Sequence, residues 1–236
     1  MTYRVHLRGV EVAAMTFAVG DRTELEGRAA IAVQCRLQSS GLANLVTSID
    51  DTYTSWIDTA TGRPLRWESV ERSAKRKQVE HTIAELAARE GALVPITFAI
   101  DDQPPTPEPQ KVAGPEVWDY NAFLVALRSW EGAPGTRASL EVLRSRWLWR
   151  IDVTIGGAET LVTELGELPA LRFDLHAARL DRAGNKDPNS EERDFAVWIS
   201  NDGDRVPLKL TANTDYGDVL MTIADYQPGT GAPLRR

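Results

Sequence analysis

The chain has a single cysteine, few histidines and no long apolar run. Cys35 is alone among 236 residues, which excludes an internal disulfide and any cysteine-rich metal site. The three histidines, His6, His81 and His176, lie far apart in the sequence and fit solvent-facing positions better than a metal site. No run approaches the roughly 18 apolar residues that a membrane-spanning helix needs, and Met1 leads directly into a strand-like alternation. We therefore expect no transmembrane segment.

Basic residues are outnumbered by acidic ones. The chain carries 27 Lys and Arg against 34 Asp and Glu, a net charge of −7, and such a chain repels a phosphate backbone unless its bases are concentrated in one patch. Nucleic acid is therefore not an expected partner. With 42% apolar and 26% charged residues, the composition is that of an ordinary globular protein.

Familiar catalytic motifs are missing. The sequence has no His-Glu-x-x-His, no Cys-x-x-Cys, no glycine-rich phosphate loop and no Gly-x-Ser-x-Gly. We accordingly predict no cofactor, no metal and no catalytic residue. Acidic pairs such as Asp50-Asp51 do occur, but neighbours in a strand point to opposite faces of a sheet and do not serve one site. The pattern favours a protein that is not an enzyme.

Alternation of apolar and polar residues dominates the chain. From Trp147 to Ile155 every odd position is apolar, which is typical of a strand with one buried face. The same period recurs near both ends of the chain, and turns are predicted at Gly9, Gly62, Gly156-Gly157 and Gly203. We predict a mainly β protein with ten to twelve strands, in a strongly curved antiparallel sheet or an open β-barrel.

One segment departs from this rhythm and divides the chain. Apolar residues at helical spacing after Gly114-Pro115 predict an amphipathic helix over about 116–130. Residues 101–115 hold five prolines, so they cannot join a central strand and are expected to lie extended on the surface. The sequence thus predicts one β-rich domain over 1–236, with a first half of about 1–100, a connector over 101–115 and a second half over 116–236.

The two halves share a sequence pattern. In both, an aromatic residue, Trp-Ile, a glycine turn and an Arg and Pro follow one another, over residues 53–66 and again over 195–209. A weaker echo links Gly9-Val10-Glu11 with Gly157-Ala158-Glu159. Duplicated half-sheets bury a continuous face when they pack together, so we predict two related halves in a single sheet.

The seven tryptophans supply the candidate binding residues. Large aromatic side chains in a curved sheet either fill the core or line a cavity for an apolar ligand or a sugar. Trp56 and Trp198 point away from their neighbours Ile57 and Ile199, so both faces of those strands carry apolar bulk that something must cover. The candidate ligand-binding residues are Trp56, Trp198, Trp147, Trp149, Trp67 and Tyr53.

Several motifs, taken in order, resemble those of a known family. They are Tyr3-Arg-Val-His-Leu-Arg-Gly9, Ile49-Asp50-Asp51-x-Tyr53-x-Ser55-x-Ile57-Asp58, Trp118-Asp119, and Val197-Trp198-Ile199-Ser200-Asn201-Asp202. This set resembles the bacterial exported proteins grouped as domain-of-unknown-function family 3108. The resemblance implies a periplasmic or outer-envelope location, with this chain as the mature part of a protein made with a signal peptide. A cytoplasmic location is the alternative, and the family offers no catalytic residues.

These observations leave three hypotheses about function. The first is a non-enzymatic cell-envelope protein that binds a hydrophobic or lipid-like ligand in a cavity of the curved sheet. The second is a protein that binds or cleaves polysaccharide through exposed tryptophans and acidic residues. The third is a scaffold that docks another envelope protein through an uncovered sheet edge.

Overall fold

The computed structural model describes residues 1–41, 48–73, 77–214 and 217–229. In these ranges the chain forms seventeen strands and one helix. The first nine strands are β1 Thr2–Leu7, β2 Val10–Leu25, β3 Arg28–Ser39, β4 Asp50–Asp58, β5 Pro64–Ser73, β6 Gln78–Ala84, β7 Leu93–Val94, β8 Ile96–Ile100 and β9 Thr106–Pro107. The remaining elements are β10 Gln110–Lys111, β11 Val117–Asp119, α1 Tyr120–Leu127, β12 Arg137–Arg144, β13 Trp147–Thr163, β14 Gly166–Leu180, β15 Arg193–Ser200, β16 Pro207–Thr214 and β17 Gly217–Asp225.

Fifteen strands form one continuous sheet. Their order is β11-β12-β13-β14-β15-β16-β17-β1-β2-β3-β4-β5-β6-β8-β9, and only β11 and β12 run parallel. The edge strands β9 and β11 do not pair with each other, so the sheet is curved but not closed. The predicted mainly β fold with a curved antiparallel sheet is confirmed, although the sheet has more strands than the ten to twelve expected.

The strand order contains a duplication. Strands β1 to β6 form one antiparallel meander, β12 to β17 form another, and β17 pairs with β1 to join them. Corresponding residues occupy corresponding places: Trp56 lies opposite Arg66 in the first meander, and Trp198 lies opposite Lys209 in the second. The halves predicted from the Trp-Ile hairpins correspond to these two meanders.

Matching glycine bulges interrupt the longest hairpin of each half. The ladder skips Gly20-Asp21 in β2 and Gly156-Gly157 in β13. A Cβ on Gly156 would lie 3.1 Å from the carbonyl oxygen of Arg172, so the neighbouring strand comes too close for a side chain. The turn predicted at Gly156-Gly157 is therefore wrong, because the strand bends there and continues. The predicted echo with Gly9 is also wrong, since Gly20 is the structural counterpart.

Helix α1 is shorter than the predicted 116–130. Residues Val117–Asp119 pair with β12 instead, and the Asp119 side chain caps the helix by accepting a hydrogen bond from the Ala122 backbone N–H at 2.9 Å. The helix packs between the halves. The Asn121 amide donates to the carbonyl oxygens of Val33 and Tyr53 at 3.1 and 3.0 Å.

Two corresponding arginines fasten the helical segment at its ends. Arg63, which follows the glycine turn of the first half, forms an ion pair with Glu116 and lies 4.4 Å from the ring of Trp118. Arg205, which follows the glycine turn of the second half, donates to the carbonyl oxygens of Arg128 and Trp130 at 2.9 and 2.8 Å. The arginine of the repeated motif therefore has a structural role in both halves.

A single hydrophobic cluster links the helix to both halves. It includes Val33 and Trp67 of the first half, Phe123 of α1, and Phe173 and Val197 of the second half. Outside this core, β9 and β10 belong to the proline-rich connector: β9 pairs at the sheet edge and β10 pairs with β7. The helix and this core lie on one face of the second half. The helix does not cover the other face.

Candidate ligand-binding groove

The uncovered face of the second half surrounds an open cavity of about 1320 Å³. Residues from seven neighbouring strands, β12 to β17 and β1, border it, so the sheet curls around this space. We call it the charged groove. Its basic residues are Arg8, Arg137, Arg172 and Lys209, and its carboxylates are Asp152, Asp174, Asp194 and Asp218.

Strand alternation produces this polar lining. In β14, Phe173 is buried in the core, whereas Arg172, Asp174 and His176 lie on the other face and line the groove. Period two places a whole set of polar side chains on one face, and the curl of the sheet brings the sets from several strands together. The groove is therefore a direct result of the alternating sequence.

Trp198 lies beneath the basic side of the groove. Its side chain is only 5% exposed, and its indole N–H donates to the carboxylate of Glu159. The Lys209 ammonium lies 4.4 Å from the ring centroid and the Arg172 guanidinium carbon 5.2 Å from it. These cation–π contacts hold two basic side chains on the groove wall, so Trp198 acts on the groove through its neighbours.

Some of the charged groups in the groove neutralise each other. Arg172 forms an ion pair with Asp174, with Nη2 and Oδ1 2.5 Å apart. Nδ1 of His176 lies 2.7 Å from Oδ1 of Asp194, and this hydrogen bond raises the pKa of His176 above its usual value. These four residues therefore form two pairs within the groove.

Three cations of the groove have no such partner. Among the described residues, no carboxylate forms an ion pair with Arg8, Arg137 or Lys209, although all three border the cavity. Asp152 and Asp218 also border the cavity and form no ion pair in this part of the chain, so the unpaired cations outnumber the unpaired carboxylates three to two, within a chain whose net charge is −7. The arrangement suits a ligand that carries a negative charge.

The first half carries matching cations, but they are neutralised. Arg66, the counterpart of Lys209, forms ion pairs with Glu85 at 2.8 Å and Glu26 at 2.9 Å. Arg36, at the place that His176 takes in the second half, pairs with Asp50 at 2.9 Å. The shared fold thus permits a cation at the place of Lys209 to be paired, whereas Lys209 itself has no ion pair among the described residues.

The six aromatic residues predicted as a binding site do not form one site. Trp67 and Tyr53 are buried and stack with their ring centroids 5.7 Å apart. Trp56 and Trp149 are half-buried. None of the six borders the charged groove, and only Trp198 touches residues that do.

Trp147 instead organises a structural cluster. The guanidinium carbons of Arg146, Arg179 and Arg182 lie 4.9, 4.7 and 5.1 Å from its ring centroid. Arg146 and Arg182 also form ion pairs with Glu108 in the proline-rich connector. The cluster fastens the connector to the second half.

Sequence reasoning missed the basic residues of the groove. It placed polar residues of each strand on a solvent-facing side, which is correct, but alternation alone does not tell which side is concave. The available signal was the run Arg172, Asp174 and His176, whose three ionisable groups share one face of a strand.

Two further observations concern metals and membranes. Within the described ranges, no group of three or more His, Cys, Asp and Glu side chains is placed to hold a metal ion. In the same part of the chain, no helix has the length and apolar character needed to cross a bilayer.

Known proteins resemble this chain in fold, and one family model matches its sequence. The crystal structure of a beta-barrel-like protein of domain of unknown function DUF1849 from Brucella abortus resembles this chain with a TM-score of 0.56 and 9% identity, over 94% of this chain and 93% of that one. At this identity the likeness concerns the fold. No curated protein matches. The model of the family described as "Protein of unknown function (DUF3108)" matches residues 2–224, and the chain therefore belongs to the DUF3108 family.

Proposed function

We propose that this protein is a non-enzymatic binding protein of the bacterial cell envelope that holds an acidic, hydroxyl-rich glycan in the charged groove. The observation that carries the proposal is the set of three unpaired cations, Arg8, Arg137 and Lys209, on the wall of one open cavity. The envelope location is supported by the resemblance to exported proteins.

The groove offers partners for both parts of such a ligand. Guanidinium and ammonium groups bind carboxylates through charge-assisted hydrogen bonds, which are about twice as strong as neutral ones. Ser139, Thr154, Thr211 and Asn213 also border the cavity and can exchange hydrogen bonds with hydroxyl groups. Cations set charge selectivity and neutral polar side chains add contacts along a sugar chain.

A purely hydrophobic ligand could contact Phe195, Val219 and Leu220 in this groove but would leave its charged residues without partners. An apolar surface laid against Arg137 or Lys209 would remove water from a charged group without replacing its hydrogen bonds, which costs several kcal/mol. The hydrophobic ligand expected from the tryptophans is therefore the alternative result that the experiment below can detect.

A scaffold role through sheet edges has less support, since the edge strands β9 and β11 have two and three residues and β9 contains Pro107.

A calorimetric titration tests the proposal. We expect the full chain to bind trigalacturonate, an acidic trisaccharide, at least about tenfold more tightly than the neutral maltotriose, and to lose this preference as salt is raised. Lys209→Gln is expected to weaken trigalacturonate binding about tenfold, because it removes one charge-assisted contact. Arg66→Gln is the matched control, since Arg66 occupies the corresponding place but is held by Glu85 and Glu26.

Three results would contradict the proposal. If maltotriose binds as tightly as trigalacturonate, the charge of the ligand does not determine binding. If Lys209→Gln and Arg66→Gln weaken trigalacturonate binding equally, the ligand does not bind in the groove. Absence of binding to either sugar, together with a lipid retained in native mass spectrometry, would favour the hydrophobic ligand instead.

A further inference from the structure

A second polar site lies on the opposite face of the sheet, where β4 and β5 of the first half approach the end of β12. We call it the inner recess and define it by Asp51, Tyr53, Glu71, Tyr120 and Arg144. Strand pairing places Asp51 and Tyr53 of β4 on the same face as Glu71 of β5. Tyr120 opens the helix and Arg144 ends β12, and Arg144 lies within electrostatic range of the other four side chains.

Specific contacts hold the end of β12 over this face. The Trp67 indole N–H donates to the carbonyl oxygen of Ser145 at 3.2 Å. The ring of Trp67 in turn stacks on Tyr53, with centroids 5.7 Å apart. Because Arg144 precedes Ser145, the same contacts bring its side chain to the recess.

The charged groups of the recess do not neutralise one another directly. Arg144 is exposed, and its side chain forms no hydrogen bond or ion pair with the rest of the described chain. Asp51 accepts hydrogen bonds from the Arg72 backbone N–H at 2.8 Å and the Tyr53 hydroxyl at 3.4 Å. Glu71 accepts one from the Ser69 hydroxyl at 3.2 Å. One cation and two carboxyl groups thus face the same space without a salt bridge between them.

The duplicated half shows that the fold does not require this set of charges. At the place of Tyr53 the second half has Phe195, and at the places of Asp51 and Glu71 it has Arg193 and Thr214, so neither carboxylate is repeated. At the place of Arg144, the last pair of its hairpin, the first half has Leu7. The combination of one cation with two carboxyl groups therefore occurs at only one of the two equivalent places of the described fold, which points to binding and not to a requirement of the fold.

We propose that the inner recess binds a small zwitterion, with the ligand carboxylate against Arg144 and the ligand ammonium group against Asp51 and Glu71. A guanidinium group suits a carboxylate because its N–H groups match the two oxygens. The carboxylates of the recess would repel a simple anion and Arg144 would repel a simple cation. A ligand with both charges satisfies the two ends at once.

Ligand-detected NMR and calorimetry on the full chain test this site. The probes are glycine, β-alanine and 4-aminobutyrate, which carry the two charges at increasing separation, with butyrate and butylamine as single-charge analogues. We expect at least one zwitterion to bind about tenfold more tightly than both analogues. Arg144→Gln and Glu71→Gln are each expected to weaken that binding about tenfold.

The matched control is Arg150→Gln. Arg150 lies on the neighbouring strand β13 and pairs with Glu141 at 3.4 Å, outside the recess, so this variant is expected to bind like the natural chain. If Arg144→Gln fails to fold, the zwitterion affinity of Glu71→Gln still tests the proposal. The proposal is overturned if no zwitterion binds, if butyrate or butylamine binds equally well, or if the recess variants bind as the control does.

Discussion

Asp119 makes the stability of this protein depend on pH in an unusual direction for an aspartate. Its side chain is fully buried. Oδ1 accepts hydrogen bonds from the Ser55 hydroxyl at 2.5 Å and the Ala122 backbone N–H at 2.9 Å, whereas Oδ2 has no partner in the described ranges. Burial raises the pKa of Asp119 to about 7, and these hydrogen bonds offset the effect only in part.

The direction and size of the effect follow from linkage. In the unfolded chain the pKa of an aspartate is about 3.9, so the folded state holds this proton more tightly. The resulting stabilisation is complete below about pH 4 and is lost as the pH rises through 7. A difference of about three pK units corresponds to about 4 kcal/mol, which is a large share of the roughly 5–15 kcal/mol by which domains are stable.

Asp119→Asn isolates this contribution. The amide keeps an acceptor oxygen for Ser55 and Ala122 but does not ionise. Between pH 5 and pH 8, we expect the natural chain to lose about 3 kcal/mol of unfolding free energy relative to the variant. Urea unfolding followed by tryptophan fluorescence at several pH values measures this. Comparing the two chains at each pH cancels the contributions of Asp51 and His176, whose pKa values are also raised.

Two results would refute the reasoning. Parallel stability profiles for the two chains would mean that Asp119 does not titrate in this range. A natural chain that gains stability over the variant between pH 5 and pH 8 would mean that its pKa is lowered, contrary to the effect of burial.

Two further predictions concern the repeated motif and the bulge. Arg205→Ala is expected to lower the unfolding free energy by about 1–3 kcal/mol, because two carbonyl oxygens after the helix lose their donor, whereas Arg63→Ala removes a mostly exposed ion pair and costs under about 1 kcal/mol. Equal losses in urea unfolding would contradict this assignment. Gly156→Ala is expected to destabilise by about 1–3 kcal/mol, since its Cβ would lie 3.1 Å from a backbone oxygen, while Gly157→Ala has open space and should change the melting temperature little. A Gly157→Ala loss as large as that of Gly156→Ala would show that the backbone conformation, and not the close approach, decides.

Period-two alternation was sufficient to predict the sheet, because each strand buries one face. The Trp-Ile and Arg-Pro hairpins also revealed the duplication. The ends of the helix were mispredicted because tertiary pairing of Val117–Asp119 with β12 competes with local helical spacing. Gly156-Gly157 was mistaken for a turn because a bulge and a turn favour the same residue type.

The candidate site was harder to predict than the fold. Alternation tells which residues share a face, but the curl of the sheet decides which face becomes a cavity. Trp147 was a reasonable binding candidate on residue type, yet three arginines surround its ring. Lys209 looked like any surface lysine, and only the missing ion pair sets it apart from its counterpart Arg66.

The pairing of β17 with β1 has a consequence for how the chain reaches its native state. β1 occupies Thr2–Leu7 and β17 occupies Gly217–Asp225, so the ladder that joins the halves connects the start of the chain to residues synthesised more than 200 positions later. Contacts of such long sequence separation slow folding, and during synthesis the outer side of β1 stays open to pairing with other chains. A circular permutant that links the natural ends and opens the chain in the connector would make this contact local and is expected to fold faster.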